Sequence, residues 1–235
     1  MAVSIVLPCY NPIPDWEQIV YSNYCSFFND LHEPLELIIV LDGKSLSITQ
    51  DTLVFLERNI PTLKVVDYPI NRGKGYAIRQ GVAVATGEVI IYTDVDFPYT
   101  PDSMRDIYKT LKNDECDVAV GVKNSAYYAH VPLIRRIISR YLRLFIRLFL
   151  SMPITDTQCG LKGFRQSVAP LFLQTTIDRY LFDLEFIRNC FKSKKYRVKA
   201  VPVTLNENVH FRKMNYRILF PEMVNFIKLL MSNKQ

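Results

Sequence analysis

Along the first 123 residues, short apolar runs rich in β-branched side chains alternate with longer stretches of helical periodicity. Val3–Leu7, Leu37–Leu41, Leu63–Val66, Val89–Tyr92 and Val118–Val122 have the length and continuity of strands buried on both faces. Trp16–Leu31, Ile48–Asn59, Tyr76–Ala85 and Ser103–Leu111 read as the helices between them. Continuous apolar strands separated by helices predict an α/β fold, an open and mostly parallel sheet covered by helices on both faces. Ligands on such sheets sit beyond the carboxyl ends of the strands. Polar clusters fall at those ends: Pro8-Cys9-Tyr10-Asn11, Leu41-Asp42-Gly43 and Thr93-Asp94-Val95-Asp96.

Beyond residue 123 the pattern changes. A long helical segment, Leu133 to Ser151, leads to Asp156-Thr157-Gln158-Cys159-Gly160. A short strand over Leu161–Phe164, more helix, a strand near Val198–Leu205 and a C-terminal amphipathic helix complete the chain. With no repeat, low-complexity tract or flexible linker, 1–235 reads as one domain: a first half over 1–123, a second half over 124–205, and a terminal amphipathic helix over 206–235.

Composition adds two constraints. A formal charge of +6 points to anionic partners (nucleotide phosphates, lipid headgroups or nucleic acid), and fits a merely basic soluble protein as well. Five scattered cysteines without a CxxC pair fit a reducing compartment, and neither a zinc site nor a disulfide framework. The opening run Ser4–Pro8 is too short for a signal peptide, and no charge-free apolar stretch reaches the roughly 18 residues of a spanning helix. The expectation is a protein that lies on a membrane if it works at one.

Asp94-Val-Asp96 follows an apolar strand, where two carboxylates can converge on one hard cation. Mg²⁺ and Mn²⁺ take few protein carboxylates and fill their remaining positions with water and substrate phosphates. The same pair could equally decorate a solvated turn. Upstream, Gly73 and Gly75 bracket Lys74 directly before a helix, which lets backbone N–H groups and a cation approach an anion at the helix N-terminus. The segment is neither a Walker A sequence nor G-x-G-x-x-G.

Ile5-Val-Leu-Pro-Cys-Tyr-Asn11, Leu41-Asp-Gly43, Asn71-Arg-Gly-Lys-Gly75, Thr93-Asp-Val-Asp96, Asp156-Thr-Gln-Cys-Gly-Leu-Lys162 and Phe182-Asp-Leu-Glu185 occur in one order over residues 3 to 205. This arrangement resembles the family-2 glycosyltransferases, and among them the polyprenyl- and dolichyl-phosphate hexosyltransferases of the dolichyl-phosphate glucosyltransferase type. The resemblance implies a GT-A fold and inverting transfer from a UDP- or GDP-sugar. It places Pro8, Tyr10, Asn11 and Asp42 around the nucleoside, with Asp42 accepting from base or ribose. Lys74 would approach the base or phosphates, Asp94 and Asp96 would organise the metal diphosphate (Mg²⁺ or Mn²⁺), and Asp156 would sit near the reacting sugar with Gln158 beside it. Arg135 and Ser139, with Lys123, would hold the acceptor phosphate. The chain departs from the family at Pro12, where an acidic residue is usual, at Pro98, where many members have Gln, and at Lys123, where many have Arg.

Arg136, Arg140, Arg143 and Arg147 fall in one helical stripe against a broad apolar face. A helix packed on the domain and a helix lying in an anionic membrane interface both fit this pattern; nucleic-acid binding lacks any supporting motif. Three functions stay open. The first is a peripheral enzyme at the cytoplasmic face of a membrane, moving a hexose from a UDP-sugar to a polyprenyl phosphate, with or without a separate membrane subunit. The second keeps the chemistry but uses a glycan or protein hydroxyl, which needs Asp156 or Asp183 as base. The third is a non-catalytic basic membrane-binding module. Asp183 and Glu185 fall on opposite sides of a helix turn, so at most one should face a site.

Overall fold

Every apolar run that reads as a strand joins one seven-stranded sheet: β1 (Val3–Cys9), β2 (Leu35–Asp42), β3 (Leu63–Tyr68), β4 (Val89–Tyr92), β5 (Val118–Lys123), β6 (Lys162–Arg165) and β7 (Val198–Val203). The structure, a computed structural model, describes residues 2–31, 33–123, 137, 140, 141, 143, 144, 146–150, 152–154, 156–206 and 219–231. The strand order is β3-β2-β1-β4-β6-β5-β7. Only β6 runs against its neighbours, antiparallel to both β4 and β5. Its N-terminal residue Lys162 therefore lies beside Tyr92 and Val120, at the edge where the parallel strands end.

The sheet alternates strictly between two faces. Val3, Ile5, Leu7 and Cys9 of β1 join a core with α1 (Trp16–Leu31), α2 (Gln50–Asn59) and α4 (Pro101–Lys112). Val6, Ile38, Val40, Ile90 and Tyr92 point the other way, onto α3 (Lys74–Val84), α5 (Ala169–Leu173), α6 (Phe182–Ser193) and α7 (Leu219–Met231). The doubly covered arrangement expected from the sequence is the one observed.

Helix ends follow local chemistry more than apolar periodicity. α4 starts at Pro101, two residues before the first periodic position, because Thr100 caps it and proline suits the first turn. α2 begins at a capping box between Thr49 and Thr52. Of the long segment expected over 133–151, Leu133 and Arg136 lie outside the described residues; Ile146–Leu150 forms a π-helical turn.

Beneath the C-terminal edge the second core contains a charge. Lys162 is fully buried, its ammonium 2.8 Å from Asp183 Oδ1, and it also donates to the Cys159 carbonyl. The Tyr92 hydroxyl donates to the same Asp183 oxygen at 2.6 Å. Burial first, and Asp183 second, hold the Tyr92 phenol well above its ordinary range. An aromatic cluster of Tyr92, Phe164, Phe172, Phe182 and Phe186 surrounds the pair. Removing one partner of such a pair leaves an uncompensated buried charge. Lys162→Met should therefore cost about 3–5 kcal/mol in urea unfolding. Lys162→Met/Asp183→Asn, which restores neutrality and keeps an acceptor for Tyr92, should regain most of it.

Candidate active site

The carboxyl ends of β1, β2, β4 and β5 and the start of β6 meet along one edge. At the end of β1, Pro8 stays in the ladder opposite Val40, while Tyr10 and Asn11 emerge to solvent. Asn11 takes φ of 45°, a left-handed conformation that asparagine tolerates better than most residues. Beside β2 a groove of about 480 Å³ opens between Gly43, Lys44, Ser45, Ile48, Leu53 and Asp67.

Asp42, at the end of β2, is buried, and its carboxylate is engaged by the protein itself. Oδ1 accepts from the Tyr68 hydroxyl at 2.9 Å and from Arg72 N–H at 2.7 Å. Oδ2 accepts from the Asn71 carboxamide at 2.8 Å and from Gly73 N–H at 2.9 Å. The sequence suggested a direct contact with base or ribose. In the structure Asp42 anchors the Asn71–Lys74 loop, a role that explains the asparagine and the first glycine of that motif together.

The two glycines bracketing Lys74 are required by packing. Gly73 has φ of 112°, and a Cβ there would lie 2.6 Å from the Asp178 carbonyl. A Cβ on Gly75 would lie 2.5 Å from the Ile177 carbonyl. The Asp178 carbonyl also accepts the Tyr76 N–H in the first turn of α3. Backbone groups expected to face an anion are thus partly occupied by the 175–182 loop. That loop is itself fixed by Glu185, which accepts from Thr176 and Ile177 N–H, while Asp183 turns to Lys162. The two acids of the Phe182–Glu185 motif have different partners, as their spacing implied.

What the loop delivers is the Lys74 side chain. Its ammonium meets Asp94 Oδ1 at 2.5 Å. Burial would depress this amine, but the carboxylates of Asp94 and Asp183 outweigh it and hold the group above its ordinary range, so it stays cationic. Asp94 opens a turn closed by Phe97 N–H donating to the Asp94 carbonyl at 3.0 Å. Val95 and Phe97 are buried within it, and Asp94 and Asp96 are partly exposed.

Across the edge, Asp156 is buried and gripped twice by the end of β5. Lys123 N–H donates to Asp156 Oδ2 at 2.8 Å, and the Lys123 ammonium lies 3.7 Å from Oδ1. The segment then runs past Thr157 and Gln158 to Gly160, where a Cβ would lie 2.6 Å from Asp94 Oδ2. Gly160 keeps that oxygen approachable. The buried Thr93 and Thr157 hydroxyls and Gln158 Nε2 find no partner among the described residues. The structure thus brings together Lys74, Asp94, Asp96, Lys123, Asp156 and Gln158. Arg135 and Ser139 lie outside the described residues.

Among the described residues no group of three or more His, Cys, Asp or Glu side chains is placed to hold a metal alone. Asp94 and Asp96 nevertheless fit Mg²⁺ or Mn²⁺, which need only one or two protein carboxylates when phosphate oxygens and water complete the shell. The approach that Gly160 leaves to Asp94 Oδ2 suits such an ion.

Several contributors were not apparent in the sequence. Asp178 joins Arg79, Arg72 and the start of α3. Tyr99 receives the Gly160 N–H on its hydroxyl at 2.9 Å. Asn206 reaches the Asp94 turn from more than a hundred residues away. Only the Asp183 and Lys162 signatures hinted at the buried support.

Comparisons with known proteins place the chain in a family. A dolichyl-phosphate beta-glucosyltransferase of Dictyostelium discoideum is 27% identical over 225 residues, covering 87% of this chain and 65% of the relative. One from Trichomonas vaginalis is 31% identical over 186 residues, covering 73% of this chain and 53% of the relative. The chain therefore spans just under two thirds of the length of the Dictyostelium relative and about half of the Trichomonas one. Among solved structures, glucosyl-3-phosphoglycerate synthase from Mycobacterium tuberculosis, in complex with Mn²⁺, UDP-glucose and phosphoglyceric acid, superposes with a TM-score of 0.61 at 13% identity, covering 93% of this chain and 74% of that one. A mannosyltransferase from Pyrobaculum calidifontis in complex with GDP-Man and Mn²⁺ gives 0.53 at 17% identity, covering 85% and 54%. The fold is GT-A. The model for glycosyl transferase family 2 matches residues 4–171, most of the sheet and the whole edge from Pro8 to Lys162, and the chain belongs to that family.

Proposed function

We propose that this chain is an inverting, metal-dependent transferase that moves a hexose, glucose foremost, from a nucleotide-sugar to a polyprenyl or dolichyl phosphate. A UDP-sugar is favoured over a GDP-sugar. The observation that carries the reading is the Lys74 ammonium held on Asp94 beside Gly160, at the strand ends of a chain whose relatives include dolichyl-phosphate beta-glucosyltransferases.

Pro8, Tyr10 and Asn11 would flank the nucleoside, and Asp42 would serve it by fixing the loop that carries Lys74. Asp94 and Asp96 would hold Mg²⁺ or Mn²⁺, which when bound offsets the charge of the departing diphosphate. Lys74 lies where it can exchange its Asp94 contact for a phosphate oxygen. The acceptor phosphate is already an anion, so no strong general base is needed. Asp156, braced by Lys123, would orient the reacting groups, and Lys123 would present positive charge to the acceptor. Arg135 and Ser139 enter this scheme through the family resemblance alone. A hydroxyl acceptor would require a carboxylate base, and both oxygens of Asp156 are engaged by Lys123 in this structure, which favours the phosphate.

Docking on the cytoplasmic face of an anionic membrane accompanies the lipid acceptor. No helix among the described residues is long and apolar enough to cross a membrane. Ile137, Tyr141 and Leu144 are exposed on the segment that exposes Arg140 and Arg147, and Met223, Ile227 and Met231 are exposed along α7. Apolar side chains interleaved with arginine suit a lipid interface, to which a separate membrane subunit could add anchorage. Nucleic acid is not among the proposed partners.

The test is transfer from UDP-glucose, other UDP-sugars and GDP-mannose to dolichyl phosphate in vesicles, with Mn²⁺ or Mg²⁺. Lipid-linked sugar should form from one of these donors, stop on chelation, and fall by about 10²–10³-fold in Asp94→Asn. Failure to label the lipid from any nucleotide-sugar would sink the proposal. Gly160→Ala should fold normally yet need more Mn²⁺ for half-maximal rate, since its Cβ presses on Asp94 Oδ2.

A further inference from the structure

The Asp94–Phe97 turn ends in an unfavourable conformation. Phe97 takes φ of 42°, in the left-handed region that a bulky non-glycine residue seldom adopts. Its buried ring anchors the side chain but does not by itself select that backbone geometry. The carbonyls that follow are another matter. The Asn206 carboxamide donates to the Phe97 carbonyl at 2.8 Å and to the Tyr99 carbonyl at 3.1 Å. Between them, the Asn206 backbone N–H donates to the Pro98 carbonyl at 2.9 Å. One residue thus holds three successive carbonyls directly after the two metal-site aspartates.

This grip is part of a short antiparallel contact. Leu205 bridges Tyr99, and Thr100 N–H donates to the Thr204 carbonyl at 3.0 Å. Tyr99 in turn receives Gly160 N–H on its hydroxyl, and Gly160 lies against Asp94 Oδ2. Both the Asp94–Phe97 turn and Gly160 are therefore tied to the 204–206 segment. The chemistry at position 206 is specific. A primary amide supplies two N–H donors to two carbonyls, whereas the isosteric aspartate would set oxygen against oxygen.

We propose that Asn206 is a positioning residue for the metal–diphosphate turn, fixing the left-handed Phe97 and through it the presentation of Asp94 and Asp96. The inference rests on the reading of that aspartate pair as the cation site. It makes no claim that Asn206 touches donor or metal.

Mn²⁺-dependent binding of UDP, followed by calorimetry, tests it on the full chain with Asn206→Asp, Asn206→Ser and Asp94→Asn, alongside thermal melts. Asn206→Asp should raise the half-saturating Mn²⁺ concentration about three- to tenfold while UDP still binds fully at high Mn²⁺. Asn206→Ser, which keeps one donor, should shift it less. A packing role alone would lower the melting temperature and leave the Mn²⁺ titration unmoved, and that result in either variant would overturn the proposal. Should Asn206→Asp fail to fold, the Ser variant decides on the same criterion. Asp94→Asn separates the two layers of the argument. Loss of Mn²⁺-dependent binding there, with wild-type titration in the folded Asn206 variants, refutes only the role of Asn206. A wild-type titration in Asp94→Asn overturns the cation site and the inference with it.

Discussion

The buried ammonium of Lys162 constrains more of this molecule than any other single group. A charge without exposure is tolerable only if paired and hydrogen-bonded. Its partners come from three parts of the chain: Asp183 from the start of α6, the Cys159 carbonyl from the motif before β6, and the Tyr92 ring, whose centroid lies 5.6 Å away at the end of β4. Satisfying one ammonium therefore sets the position of α6, the entry of β6 and the closing loop of the site together. It also accounts for the reversed strand. An antiparallel β6 brings its first residue to the edge where the parallel strands end, so a lysine at that position lies beneath the site.

Three lysines meet three carboxylates along this edge: Lys74 with Asp94, Lys123 with Asp156, and Lys162 with Asp183. These pairs sum to neutrality before any substrate arrives. The pairs differ in how free they are to respond. Lys162 is sealed and can only support, whereas Lys74 and Asp94 retain solvent contact and can change partners. Support and chemistry are thus separated by depth, along the line from Asp183 to Asp94.

The sheet was readable from sequence because its strands are covered on both faces, which leaves continuous apolar runs that few other elements produce. The same pattern located the edge, since Asp42, Asp94 and Asp156 each stand where an apolar run stops or a motif breaks. The roles of those residues were less readable. Asp42 stood in the right place for a nucleoside contact, yet four donors from Tyr68, Asn71, Arg72 and Gly73 meet it. Two of those are backbone N–H groups, which carry no side-chain signature. The glycines around Lys74 were legible as a demand for space, and the 177–178 backbone comes close to both of them. Asn206 lay beyond inference for a related reason: its meaning depends on a tertiary contact with carbonyls 109 and 107 residues away, and carbonyls are common to every residue type.

That dependence on backbone partners has a functional side. Side-chain pairs can rearrange when a ligand offers a better partner, but a carbonyl held by a carboxamide or an N–H held by a buried carboxylate has no comparable alternative. The Asn71–Lys74 loop and the Asp94–Phe97 turn are fixed almost wholly in this way, by Asp42 on one side and by Asn206 and Tyr99 on the other. A binding site gains from such rigidity, because groups already held in place need no ordering when a ligand arrives. The described part of the 137–150 segment, by contrast, exposes Ile137, Tyr141 and Leu144 instead of burying them. The strand-end edge and the 137–150 segment thus follow different physical rules: the first is specified by hydrogen bonds that close within the protein, the second exposes apolar and cationic side chains.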